Sequence, residues 1–396
     1  MTLGHRTILA LLMAARFCFG FATAFLLYIA ASYFQSTQLL RDEGLFFFII
    51  SLSVLCVLLV LHRIIARYTR VRVFLALHTI ALLACGMVIV RTSPMVEVLA
   101  VVMFMIVTTL LLVVYDMIVE SYTNDRDDGR VHGALLTLWN AGFIIGPFVA
   151  GVVMARGGIE EIFAILLGVY AIALMIMAPV LPTLHRLNHV TRNGVISLMR
   201  RAFSFRWFQH VYGVAVILHT FYVVMVVYVP VHLLSQGFSV SQLGVVFTIA
   251  LIPFLVIEYP AGLLADTRFG EREMMLLGMV FLFGSVVAMG MTAVGLPLWA
   301  WASLLFISRI GAAFVESMSE VFFYKHVDAD DVGLIDVYRT AAPVAYVSVT
   351  AVVGVLFVIG GMTHIAIPLS LLVVVFVIGI YLAATMHDTP VTDRSS

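Results

Sequence analysis

The chain has 396 residues, of which 63% are hydrophobic and only 11% charged, and its formal net charge is zero. Soluble domains carry roughly 25% charged residues, so a soluble globular fold is excluded and the bilayer must be the solvent. Neutrality gives no basis for nucleic-acid binding.

Each membrane-spanning helix needs about 20 mostly apolar residues, and the apolar runs predict twelve. They fall at 7–33, 44–65, 72–92, 95–119, 131–154, 159–182, 208–234, 241–264, 273–294, 297–321, 335–359 and 363–386. The first run holds Arg16 and has no small-residue cleavage site behind it, so it reads as a retained helix rather than a signal. Trp299 and Trp301 read as an outer interfacial belt. Cys18, Cys56 and Cys85 lie inside apolar segments with no metal or redox spacing.

Basic residues set the orientation. Arg63, Arg67, Arg70 and Arg72 crowd the second connection, Arg126 and Arg130 the fourth. Arg186, Arg192, Arg200, Arg201 and Arg206 follow in the sixth, Arg268 and Arg272 in the eighth, and Lys325 in the tenth. The odd connections hold only Arg41, Arg91 and Arg156. Both termini are therefore expected on the cytoplasmic side of a plasma (inner) membrane. The organisation expected is a six-helix bundle over 1–182, a cytoplasmic linker over 183–207, a second bundle over 208–386 and a tail over 387–396. Within the linker, Leu198-Met-Arg-Arg-Ala-Phe-Ser-Phe-Arg-Trp207 has the makings of an amphipathic surface helix.

A shift of 200 residues brings the two halves into register for about a hundred residues, and after a three-residue offset Gly151 meets Gly354. Phe21 meets Phe221, Tyr28 meets Tyr228, Gly44 meets Gly244, Arg72 meets Arg272, Asp116 meets Glu316 and Glu120 meets Glu320. A six-helix repeat preserves topology, so the halves are parallel repeats about an axis along the membrane normal, an arrangement found in secondary transporters.

Between the eighth and ninth runs, the stretch Tyr259–Glu273 is a polar hinge. Its core, Gly262-Leu-Leu-Ala-Asp266 followed by Arg268 and Gly270-Glu-Arg272, resembles the loop signature of the major facilitator superfamily. One residue is inserted between Asp266 and Gly270, and Glu271 stands where a base is usual. The sister stretch, His62-Arg-Ile-Ile-Ala-Arg-Tyr-Thr-Arg-Val-Arg72, keeps basic residues but neither the aspartate nor the glycine. In the fifth helix, Gly142-Phe-Ile-Ile-Gly146-Pro147-Phe-Val-Ala-Gly151 is similar to the motif that the family associates with exchangers and drug exporters. Small residues at 142, 146 and 150 form one smooth face, and Pro147 removes a helical hydrogen bond. The resemblance covers essentially the whole chain. It implies an all-α polytopic fold of twelve transmembrane helices in two six-helix bundles related by a pseudo-twofold axis.

Ionisable groups inside a bilayer are expensive and need a partner or a task. Arg16, about nine residues into the first helix, lies roughly 13 Å from its inner end at 1.5 Å per residue. Arg309 sits at a similar depth in the tenth. Neither has a counterpart in the other half, where Val216 and Thr109 stand instead. The family resemblance implies that the first, fourth, seventh and tenth helices line a central cavity. Arg16, Arg309, Glu316, Asp116, Tyr28 and Tyr228 are thus substrate or coupling candidates, each against a structural reading as a paired or packed residue. Arg309, Glu316 and Glu320 share a helix face, and Arg309-Ile-Gly resembles the family's fourth-helix arginine–glycine motif. Gly262, Asp266, Arg268, Gly270, Arg272, Glu320 and Glu120 form the expected cytoplasmic gate, with the glutamates bonded to nearby arginines. His78 and His219 read as hydrogen-bonded packing residues.

The function expected is secondary active transport of a small organic solute by alternating access, as proton-coupled export of amphipathic compounds. Uptake or exchange of an anionic metabolite is the alternative. A non-transporting sensor or assembly factor on the same fold is the alternative of another class. No Gly-x-x-x-x-Gly-Lys-(Ser/Thr) pattern points to ATP hydrolysis, and no clustered nucleophile, base or metal-ligand set points to an enzyme. The expected partners are the lipid bilayer, the solute and protons, with no cofactor, no metal and a monomeric state.

Overall fold

The computed structural model describes residues 4–37, 44–90, 93–122, 128–186, 195–267, 269–291, 295–327, 332–360 and 365–386. Among them there is no strand. Twelve helices are long and apolar enough to cross a membrane. They are α1 His5–Thr37, α2 Gly44–Tyr68, α3 Arg70–Ile89, α4 Pro94–Glu120, α5 Asp128–Arg156 and α6 Ile159–Met177. The second half runs α7 Arg206–Ser235, α8 Val240–Thr267, α9 Glu271–Met291, α10 Leu298–His326, α11 Ala341–Gly360 and α12 Ala366–Ala384. Two short helices, Val195–Ala202 and Val332–Arg339, flank α7 and α11.

Several boundaries differ from the sequence reading for local reasons. The hinge is shorter than Tyr259–Glu273, because α8 continues through Thr267 and α9 begins at Glu271. Pro253 and Pro260 are carried inside α8, which membrane helices tolerate when neighbours re-satisfy the freed carbonyls. The eleventh run is two helices separated at Thr340, whose hydroxyl bonds back to Val337 and meets the Tyr212 hydroxyl. Trp301 does not join an interfacial belt: it is fully buried, whereas Trp299 is exposed. They are two positions apart on one helix, about 200° around it, so one surface cannot hold both.

The chain divides into two compact units, Met1–Arg192 with Pro230–Thr248, and Asn193–Val229 with Ile249–Ser396. In the first, α1 packs most extensively on α5, and also on α6, while α3 packs on α4 and α6. In the second, α7 packs on α11 and α12, and α9 on α10 and α12. These are the same pairings shifted by six helices, the packing counterpart of the 200-residue sequence repeat.

Glycine sets the α1–α5 distance. A Cβ at Gly142 would stand 2.4 Å from the Phe17 carbonyl oxygen, and one at Gly146 would stand 2.7 Å from the Phe25 nitrogen. From the other side, a Cβ at Gly20 would lie 2.4 Å from the Trp139 carbonyl oxygen. Gly151 faces elsewhere, its added Cβ lying 3.2 Å from the Gly244 Cα and 3.3 Å from the Ser241 Cα of α8. Residues 142 and 151 are nine positions apart, about 180° around a helix. The fifth-helix motif therefore serves two neighbours on opposite faces.

Candidate functional site

Each unit sets an arginine near a carboxylate inside its apolar helices, half-buried in the first unit and buried in the second. In the first unit, Arg16 of α1 donates from Nη1 to Asp116 Oδ1 of α4 at 2.6 Å. Its guanidinium also lies over Trp139 of α5, 4.7 Å from the ring centroid, and over Tyr115, at 5.7 Å. Tyr115 is fully buried and donates its hydroxyl to the Leu12 carbonyl at 2.6 Å, tying α4 to α1 just before the ion pair. The two charged side chains are 19% and 27% exposed, so the pair is shielded but not sealed.

In the second unit the carboxylate is Glu316 of α10, the repeat equivalent of Asp116. It accepts a 2.6 Å hydrogen bond from the Tyr222 hydroxyl of α7. Arg309, two turns earlier on α10, is 1% exposed. Its guanidinium lies 4.9 Å from the Phe221 ring centroid and 5.4 Å from that of Tyr222, and its Nε has no hydrogen-bond partner among the described residues. Tyr222 also meets His219 edge-on at 5.8 Å and Phe254 of α8 at 6.3 Å. The arginine–glycine motif has a packing logic. A Cβ on Gly311 would lie 2.6 Å from the Gly278 carbonyl oxygen, so α10 closes on α9 through that face. Arg309, two positions earlier and about 200° around the helix, is left on the opposite side with α7.

The two clusters share a plan: a carboxylate at the equivalent position, and an arginine resting on two aromatic rings. They differ in which helix lends the arginine and in what the carboxylate touches. Asp116 is held by a cation, Glu316 by a phenol. Sequence reasoning found the four charged residues but not Tyr115, Trp139, Phe221 or Tyr222. One signal was available: Tyr222 stands opposite Ala22 across the repeat, an asymmetric polar ring one residue after the matched Phe21 and Phe221.

The remaining candidates lie apart from these clusters. Tyr28 is buried, its ring 4.7 Å from that of Phe247 and 6.2 Å from that of Phe143. Tyr228 is buried against Phe357 at 5.8 Å. It ends a π-helical turn, Val224–Tyr228, that interrupts α7 two residues beyond Tyr222. The histidines each meet a backbone carbonyl, His78 Nε2 that of Tyr170 and His219 Nδ1 that of Ala215, both at 2.8 Å.

At the arginine-rich helix ends, Arg70 donates to the Met117 carbonyl at 3.2 Å and to Ser121 Oγ at 2.5 Å, closing the C-terminal turn of α4. Glu271, the acid found where a base was expected, is buried and forms an ion pair with Lys325 at the end of α10. Gly270 donates its N–H to Glu273 Oε2 at 3.1 Å, capping α9. Arg272 and Glu320 are each engaged within the structure. Arg268 and the surroundings of Gly262, Asp266 and Glu120 lie outside the described residues.

Among the described residues, twelve helices long and apolar enough to cross a membrane mark an integral, multi-pass membrane protein. The family model described as Major Facilitator Superfamily matches residues 12–362, and the chain belongs to that superfamily. Membrane transport is therefore its function, with the bilayer and a transported substrate as its partners. Among solved structures, it is similar to the crystal structure of a bacterial homologue of the iron transporter ferroportin, in an outward-facing state with soaked iron. The TM-score is 0.67 over 95% of this chain and 98% of that one, at 11% identity. That likeness is one of fold. No curated protein sequence gives a significant match.

Proposed function

We propose that the chain is a secondary active transporter that exports amphipathic organic compounds by alternating access, driven by protons. The observation that carries this reading is the contrast between the equivalent carboxylates. A carboxylate that gains and loses a proton in each cycle needs a partner that tolerates both states. A phenol can donate to the carboxylate and accept from the carboxylic acid, so Tyr222 suits Glu316 to that work. Asp116, bonded to a permanent cation, is suited to remain charged and to brace α4 against α1. Arg16, Tyr28 and Tyr228 are assigned to the walls of the transport path.

The six-helix bundles 1–182 and 208–386, joined through 183–207, are the moving parts. Gly262, Asp266, Arg268, Gly270, Arg272, Glu320 and Glu120 form the gate at the cytoplasmic side, where both termini lie. Gly142, Gly146, Pro147 and Gly151 hold α5 against its two neighbours. The protein works as a monomer in the plasma (inner) membrane, without cofactor, metal or nucleic acid.

A second reading, uptake or exchange of an anionic metabolite, is favoured by Arg309. Its guanidinium is buried, and its Nε lacks a hydrogen-bond partner among the described residues, leaving a donor for a substrate carboxylate or phosphate.

Flux into proteoliposomes under an imposed proton gradient tests the proposal. Glu316→Gln should abolish gradient-driven flux of a labelled amphipathic cation and leave counterflow exchange intact. Equal loss of both would assign Glu316 to binding or folding. A wild-type protein that moves no labelled solute under either gradient polarity would sink the transporter mechanism altogether.

A further inference from the structure

The approach to α7 carries a surface that the transport reading does not use. The helix Val195–Ala202 covers the start of the stretch that the sequence marks as amphipathic. It packs against Val332–Arg339, with Ala202 buried and Leu198 and Met199 half-buried. What remains outside is Arg200 and Arg201, then Phe203, Ser204, Phe205 and Arg206, all exposed, with Trp207 half-buried behind them.

Phe203 is 37% and Phe205 36% exposed, although each has aromatic neighbours. Phe203 meets Tyr212 edge-on at 5.1 Å, and Phe205 lies 6.1 Å from Trp207, which in turn stacks on His326 at 5.2 Å. The result is an aromatic shelf with an arginine at each end. Arg201 already has a partner. Arg200 and Arg206 form no ion pair among the described residues. No Asp or Glu occurs in the chain between Glu161 and Glu258, so that stretch supplies no acid of its own.

Arg206 is the first residue of a membrane-spanning helix, which sets this shelf at the depth where headgroups meet acyl chains. Exposed rings beside cations are out of place in water and at home at that interface, where aromatic side chains sit at headgroup level and basic ones meet lipid phosphates. We infer that Arg200, Phe203, Phe205 and Arg206 form a binding site for the headgroup of an anionic phospholipid. The two guanidiniums take the phosphates, and the two phenyl rings take the glycerol backbone and the first acyl carbons. Arginine suits this better than lysine alone would, because its planar fork bonds two phosphate oxygens at once.

Trp207 provides the reporter. The full chain, with Trp139, Trp299 and Trp301 replaced by Phe, is reconstituted in phosphatidylcholine vesicles. Quenching by brominated phosphatidylglycerol is then compared with quenching by brominated phosphatidylcholine at equal mole fraction. Phosphatidylglycerol should be preferred by roughly five-fold or more, since one arginine near an anionic surface contributes a factor of about five. Arg200→Gln with Arg206→Gln should remove the preference, and Arg200→Lys with Arg206→Lys should keep most of it. Native mass spectrometry of the unaltered chain, offered both lipids in competition, gives the same comparison should the tryptophan replacements prevent folding.

Equal quenching by the two lipids would overturn the site. So would a phosphatidylglycerol preference that survives the double glutamine change. Loss of the preference on adding inorganic phosphate, under conditions where equal ionic strength of chloride leaves it in place, would reassign the arginines to a soluble anion and overturn the lipid reading.

Discussion

Arg16 and Asp116, one hundred residues apart in the chain, meet at 2.6 Å between α1 and α4. The guanidinium is also seated on the Trp139 ring, so the pair joins α1, α4 and α5 at one point. Removing either charge strands the other in a poorly hydrated place. Asp116→Ala or Arg16→Ala should each lower stability by about 1.5–3 kcal/mol, the range for a charge-assisted hydrogen bond. The double variant should lose less than the sum, with a coupling of about 0.5–3 kcal/mol. Thermal unfolding of the four proteins in detergent measures the cycle, and additive losses would deny the pair any energetic meaning.

Tyr222 and Glu316 invite a different experiment, on flux rather than stability. Tyr222→Phe keeps the ring beneath Arg309 and removes only the hydroxyl that Glu316 accepts from. Gradient-driven flux in proteoliposomes should fall by about tenfold, as expected when roughly 1.4 kcal/mol of a required interaction is lost. Counterflow exchange should stay intact, as in Glu316→Gln. A loss of counterflow would mean that the phenol serves binding or folding rather than the carboxylate's proton transfer.

The α1–α5 contact predicts opposite outcomes for one chemical change. Gly142→Ala places a methyl 2.4 Å from the Phe17 carbonyl oxygen and should destabilise by about 1–3 kcal/mol, the usual penalty of overpacking. Gly168→Ala in α6 meets nothing within 4 Å and should stabilise by about 0.5–1 kcal/mol, as alanine does within helices. Melting temperatures of the two variants would need to move in opposite directions for the glycine contact to stand.

At the arginine-rich end, Glu271 is 2% exposed and forms an ion pair with Lys325. Lys325→Gln leaves that carboxylate buried without its cation and should cost about 3 kcal/mol, the low end for breaking a buried pair whose second member is partly solvated. The exchange Glu271→Lys with Lys325→Glu should recover much of the loss. Unfolding of the single and exchanged variants reads this directly, and a failure to recover would show that Glu271 is held by more than charge.

Much of the architecture was legible because the physics behind it is local or repetitive. Hydrocarbon length fixes the span count, and a shift of 200 residues foretold that α3 and α9 would play the same packing role. The mid-membrane charges also stood out, since each is an exception to its surroundings. Their partners did not. Tyr222 and Trp139 look like ordinary aromatic packing until α7 is set beside α10 and α5 beside α1, and no spacing rule links residues 94 or 123 positions apart (Tyr222 with Glu316, Arg16 with Trp139). The hinge was drawn too long because Asp266, Arg268 and Arg272 interrupt the apolar run, whereas α8 continues through Thr267 and α9 begins at Glu271. The burial of Trp301 was missed because aromatic residues near a helix end read first as interfacial anchors.

The π-helical turn at Val224–Tyr228 gives α7 a stored residue. A π turn winds in one residue more than an α turn does. Relaxing it would rotate the chain beyond by about 100° and move it about 1.5 Å along the axis. Tyr222 lies before that turn and would keep its hold on Glu316, while Tyr228 lies at its far end and would swing off Phe357. In such a change the two tyrosines, six residues apart, would not move together.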